Sequence, residues 1–234
     1  MEINETAINI NPYERIQIVY FVKKFRTMME AGRVIPDKES HGRKLISWQH
    51  FKTVADKFNK TDLFGGTHRR KLIIKLTMDP YARAAGSYSW QTDSITVNIE
   101  HISKWKIEGV VSIDYSEMRN ILSHEMIHHK QHILHSPHDV NPFASKKKYF
   151  DKATEHGAWG AEAVEKIRQD FEPFNLKGRD LTDYIVKYLK THGLTDTTLR
   201  NLKAHNLPAW KRIMKRALLA TLRHNKYNSR GVEI

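Results

Sequence analysis

Along residues 12–31 the apolar positions Ile16, Val19, Tyr20, Val22 and Phe25 recur at near-helical spacing. That is the pattern of a helix that buries one face. Asn11-Pro12 followed by Glu14 supplies the N-cap and first-turn chemistry for its start, and Gly32 supplies a stop. Residues 33–46 lose the pattern and predict a loop. Ser47 then caps a second helix with Phe51, Val54, Ala55 and Phe58 on its apolar face, and Gly65-Gly66 ends that unit. Beyond it the period shortens. Lys71–Met78 is rich in apolar and β-branched residues, and Ser94–Glu100 alternates with Ile95, Val97 and Ile99 on one face. Both predict strands, the second half-buried and suited to a sheet edge. The small residues of Ala84–Trp90 predict a hairpin arm between them.

A helical period returns in mid-chain. Asp114 followed three residues later by Glu117 predicts a capping box, and Ser136-Pro137 predicts a stop. Between them Tyr115, Met118, Leu122, Met126 and Ile133 fall on one narrow stripe, with His124 and His128 nearly opposite. The pattern predicts a central helix with one face to the core and the other to a site. Residues 123–129 of this helix contain H-E-x-x-H. Histidines four apart lie one turn apart on the same face, so both imidazoles reach one metal ion. Glu125 sits beside them, placed to take a proton from a water at the metal.

After Pro137 a polar connection through Asn141-Pro142 and Lys146-Lys147-Lys148 leads into a helix that runs to about Gln169. Glu155, Ala158, Trp159 and Glu162 have helical spacing there, so this helix can present Glu155 toward the first. Glu155 and His156 are both candidates for a third ligand. Adjacent helical residues point about 100° apart, so only one of them ligates comfortably. Gln131 and His135 continue the His124/His128 face, where they either orient ligands or, more simply, line a polar cleft. His129, His132 and His138 are expected to face solvent. Tyr88, Trp90 and Tyr149 are expected as core residues, with substrate contact the alternative.

Composition narrows the chemistry. The 234 residues suffice for one domain or a domain with an appendage, and 28% charged residues with 40% hydrophobic ones indicate a soluble globular chain. No apolar run approaches the roughly 20 residues of a membrane span. Glu2 and Glu5 stand where a signal peptide needs a basic segment, so the expected setting is cytoplasmic. The absence of cysteine removes disulfides and thiolate metal sites. Any metal must therefore be held by histidine and carboxylate.

The net charge of +13 is unevenly placed. From Phe174 onward thirteen Lys and Arg face four Asp and Glu, so 13 − 4 = 9 of the net positive charges lie in the tail. This divides the chain into residues 1–173 and a basic helical region, 174–234. Three helices are expected in the tail, at about 181–191, 196–204 and 208–225, with Leu181, Ile185, Leu189, Leu199, Leu202, Ile213 and Leu218 as the apolar positions. The last two helices, with Lys211, Arg212, Lys215 and Arg216 on the second, loosely resemble a helix-turn-helix, which suggests nucleic acid as a partner. A solvated basic face is the plainer reading.

Residues 84–168 resemble zinc metallopeptidases of the zincin type. A strand, an H-E-x-x-H helix and a later helix bearing a glutamate resemble the gluzincin arrangement. More closely, His124-Glu125-Met126-Ile127-His128-His129-Lys130-Gln131 with Thr154, Glu155 and Ala158 is similar to small bacterial and phage metallopeptidase-like proteins. Lys152, Ala153 and Gly157 depart from their pattern of Arg, Pro and Glu. His156-Gly157 with Trp159 more distantly resembles SprT-like proteases, with the aromatic residue one position early. The gluzincin resemblance implies Zn²⁺ on His124, His128 and Glu155, with His156 as the SprT-like alternative. It also implies a peptide or protein substrate, and a bacterial, phage-infected or virion setting.

The expected fold is therefore α+β and mostly helical: a zincin-like core with a small sheet, the H-E-x-x-H helix and a following glutamate helix. The expected function is zinc-dependent peptide hydrolysis with Glu125 as the catalytic base, the Ser94–Glu100 strand serving as the cleft rim. The competing reading is a basic nucleic-acid- or virion-associated structural protein that keeps a zincin fold and a non-catalytic metal site. No membrane partner is expected under either.

Overall fold

A computed structural model of the chain describes residues 10–31, 34–35, 45–59, 61–64, 71–107, 110–134, 153–171, 178–191, 197–215 and 219. The fold is mixed α+β and mostly helical. No helix among the described residues is long and apolar enough to cross a membrane. The chain divides into two compact units, residues 10–134 and residues 135–234 together with 1–9.

In the first unit, α1 (Pro12–Glu30) begins with the expected cap. Asn11 Oδ1 accepts from the Glu14 amide, and Glu14 Oε2 accepts from the Asn11 amide, both at 2.8 Å. This reciprocal box satisfies two amides at the helix start. The buried face differs from the expected one. Ile18, Phe21, Val22, Phe25 and Met29 are buried, whereas Ile16 is exposed and Tyr20 is 61% exposed. The buried set has i, i+3, i+4, i+7, i+11 spacing and forms one stripe along the whole helix, while Ile16 and Tyr20 begin a second, shorter stripe. Phe21 and Phe25 meet Phe58 of α2 (Trp48–Phe58) edge to face, each with ring centroids 5.3 Å apart. Ser47 caps α2 as expected, its Oγ accepting from the His50 amide.

Among the described residues seven strands form two sheets. Within the expected loop, β1 (Val34–Ile35) and β2 (Leu45–Ser47) are paired, and they join β7 (Val110–Ile113) and β6 (Ser103–Ile107) in an antiparallel sheet ordered β1-β2-β7-β6. Two- and three-residue strands are too short to leave a period in the sequence. The other sheet is ordered β3-β5-β4, with β3 (Ile73–Thr77) parallel to β5 (Ser94–Asn98) and β4 (Gly86–Ser89) antiparallel to it. The expectation of an edge strand at Ser94–Glu100 is thus overturned: β5 is central and β4 is outermost. Ser94, Ile95, Val97 and Asn98 are all buried, so both faces of β5 are covered. Both polar members of that set are satisfied, Ser94 Oγ lying 2.7 Å from Thr92 Oγ1. Asn98 accepts from the Asp79 and Glu100 amides and donates to the Asp79 carbonyl, as a buried amide must.

The last element of this unit is α3 (Tyr115–Leu134). Asp114 Oδ1 accepts from the amides of Ser116 and Glu117. Glu117 instead accepts from Asn120, and the Asp114 amide bonds Ile102, so only half of the expected capping box forms. Met118, Leu122 and Met126 are fully buried, as the stripe required, but Ile133 is 50% exposed because it lies in the last turn of the helix.

The described parts of the second unit are helical: α4 (Ala153–Phe171), α5 (Gly178–Thr191), α6 (Thr197–His205) and α7, residues 207–215. The first three begin or end within a few residues of their expected bounds. Of the tail's apolar positions, Leu202 and Ile213 are buried; the side chains of Leu181, Ile185, Leu189, Leu199 and Leu218 lie outside the described residues.

Candidate metal centre

His124 and His128 stand one turn apart on α3 with ring centroids 5.0 Å apart and their Nε2 atoms 3.2 Å apart. The helix sets this distance, because i and i+4 side chains lie over one another. Two nitrogens bound at about 2.0–2.1 Å to a tetrahedral ion stand about 3.3–3.4 Å apart, so the pair already has the span of two ligands. The second nitrogen of His128 has a defined partner: Nδ1 lies 2.9 Å from Gln131 Oε1. An amide oxygen only accepts, so Nδ1 carries the proton and Nε2 keeps its lone pair for a metal. Gln131 is buried and holds the ring, rather than merely lining a cleft.

Glu155 lies in the first turn of α4 and is buried. Among the described residues there is one group that could hold a metal ion. A nitrogen or carboxylate oxygen from each of His124, His128 and Glu155 lies within 4.8 Å of the others. Two imidazoles and one carboxylate make a donor set suited to zinc with a position left open, so the residues fit the ion. The side chain of His156, the alternative ligand, lies outside the described residues, as do His135, His138 and Tyr149.

Glu125 is buried on the same helix. Its carboxylate lies against Gly86 of β4, where an added Cβ would overlap the γ2 methyl of Ile121 and stand 3.0 Å from Glu125 Oε1. At Gly86 the strand therefore passes the H-E-x-x-H helix by backbone alone. The sequence carried only an indirect sign of this, a glycine inside a strand.

One turn further along, α3 meets the β4–β5 turn. His129, expected at the surface, is buried, with Nδ1 3.0 Å from Asp93 Oδ1. Tyr88 donates to the same carboxylate at 2.7 Å, and its hydroxyl also lies 2.9 Å from His132 Nδ1. His132 is likewise not fully solvated, since it is half-buried and tilted against Tyr88 and the exposed Trp90. Burial pushes the His129 pKa down, and the Asp93 carboxylate partly opposes this. Asp93 holds a left-handed backbone, φ 47°, at the end of the turn, a conformation Asp adopts more readily than most residues. Nothing near Asp93 in the sequence signals a partner on α3.

Compared with protein-family models, with curated proteins and with solved structures, the chain matches none.

Proposed function

We propose that the protein is a zinc-dependent metallopeptidase. The observation that carries this reading is the convergence of His124, His128 and Glu155, with Glu125 buried between the two histidines in sequence. Two histidines and a third ligand suffice for a structural site; a carboxylate next to them does not serve binding and fits a proton acceptor.

His124, His128 and Glu155 would hold the ion, and Gln131 fixes the His128 ring for it. Zinc bound in such a site lowers the pKa of a water toward about 7 and polarises a carbonyl. The chain's own step is proton transfer. Glu125 accepts the proton lost by the attacking water and returns it to the leaving amine nitrogen. Its burial against β4 keeps the carboxylate in place and away from bulk solvent. An extended peptide would add to the outer strand β4, so the cleft rim expected at Ser94–Glu100 falls to β4 instead.

The test separates binding from catalysis. Wild type purified without added metal should contain about one zinc per chain by elemental analysis. His124→Ala and His128→Ala should each abolish it, and Glu155→Ala should weaken it severely while His156→Ala does not. Glu125→Gln should retain zinc and fold but lose at least about a hundredfold in cleavage of casein or a peptide library, the usual scale of general-base catalysis. Wild-type cleavage by that variant defeats the mechanism. Zinc without any hydrolysis supports the structural alternative, and zinc loss in His156→Ala rather than Glu155→Ala moves the third ligand.

A further inference from the structure

From Thr197 to Val232 the chain carries nine Lys and Arg and no Asp or Glu. Its described part, α6 and α7, is a pair of helices with a one-residue junction at Asn206. The Asn206 amide closes α6 by bonding the Leu202 carbonyl. Its side chain caps α7 by accepting from the Ala209 amide at 3.0 Å. One residue thus ends one helix and starts the next, so the turn is fixed by hydrogen bonds.

The pair sorts its side chains cleanly. Leu202, Ala209, Ile213 and Met214 are buried. Lys211, Arg212 and Lys215 are exposed and fall, with Leu207 and Pro208, within one arc of about 140° on α7 at 3.6 residues per turn. A packed apolar face and an exposed basic face therefore coexist on the same pair. Lys203 lies over the Trp210 ring, 4.9 Å from its centroid.

We propose that the basic face of α7 is a docking surface for duplex DNA, contacting the phosphate backbone through Lys211, Arg212 and Lys215. This does not rest on the metallopeptidase reading. Three arguments select the partner. A cationic helix face free of carboxylates over its length is complementary to the closely spaced phosphates of a duplex. Single-stranded nucleic acid is gripped by exposed aromatic platforms, and the one aromatic residue on this pair, Trp210, is covered by Lys203. A membrane surface calls for an exposed apolar face beside the charge, whereas here the packed apolar face is buried and the large exposed apolar residues described after Thr197 are two, Leu207 and Leu219, twelve positions apart.

The test uses the full chain, a labelled duplex of about 20 base pairs, the matching single strand, and vesicles rich in anionic lipid. Three phosphates neutralised give a slope of log affinity against log salt of about −2.7, hence a loss of about 40-fold between about 50 and 200 mM salt, and more if further basic residues join. The variant Lys211→Glu, Arg212→Glu, Lys215→Glu should lose duplex binding while its zinc content and melting temperature match wild type. If that variant does not fold, the Gln triple variant should flatten the slope by about 2.7. Duplex binding unchanged in either variant overturns the proposal. So does failure of wild type to bind duplex at the lower salt, or tighter binding to the single strand or the vesicles.

Discussion

At Gly86 the absence of a side chain is a structural requirement. A methyl group there would collide with Ile121 and press on the Glu125 carboxylate, and over-packing of this kind costs about 1–3 kcal/mol. Gly86→Ala should destabilise the chain by about that amount. Because the principal collision is with one side chain, Ile121→Ala should relieve it, and the double variant should be clearly more stable than the sum of the two single effects implies. Chemical denaturation of the four proteins of the cycle measures this. Simple additivity would mean that β4 does not press on α3 at this point. Gln131 shows the same dependence on a single neighbour, since its place beside His128 Nδ1 leaves Nε2 as the nitrogen that faces His124.

Between elements, α1 and α3 are joined by an ion pair well out of water. Lys130 Nζ lies 2.9 Å from Glu14 Oε2, with the side chains 18% and 8% exposed. Glu14 thereby serves two purposes, closing the cap of α1 and pairing with the helix that bears the histidines. Removing one partner of a buried pair leaves an uncompensated charge, which costs about 3 kcal/mol or more, whereas replacing both is far milder. Lys130→Met should therefore destabilise strongly, and adding Glu14→Gln should recover part of the loss. A Lys130→Met variant within about 0.5 kcal/mol of wild type, the range of an ordinary surface change, would show that water screens the pair. Alongside it, the guanidinium of Arg26 lies over the Tyr115 ring at 5.6 Å, a second polar link between the same helices.

For the whole chain, a metal bound by the folded state and not by the unfolded one stabilises by mass action. Zinc at about a thousand times its Kd adds about 4 kcal/mol. Wild type should melt several degrees higher with zinc than after EDTA treatment, whereas a His124→Ala/His128→Ala variant should show no difference. An equal shift in both proteins would place the bound zinc elsewhere, for instance on other members of the fourteen histidines. The measurement needs no substrate, so it tests the site without testing hydrolysis.

The sequence by itself determined what depends on a few neighbouring residues. The Asn11–Glu14 box, the Ser47 cap, the Asp114 cap and the one-turn spacing of His124 and His128 all act over three or four positions, and helical geometry is the same in every fold. The mixed α+β class followed from the change of period along the chain. Tertiary structure decided what depends on distant partners. Alternation marked the inward residues of β5 but not its neighbours, so whether it lay at the edge or the centre was open until β3 and β4 took their places. His129 is drawn inside by Asp93, 36 residues away. Ile16 and Tyr20 are apolar yet exposed, because α2 and α3 occupy the other stripe of α1. Glu155 is of the same kind: residue type and helical phase make it eligible as a ligand beside His124 and His128, but the distance between them is not a local property of the chain.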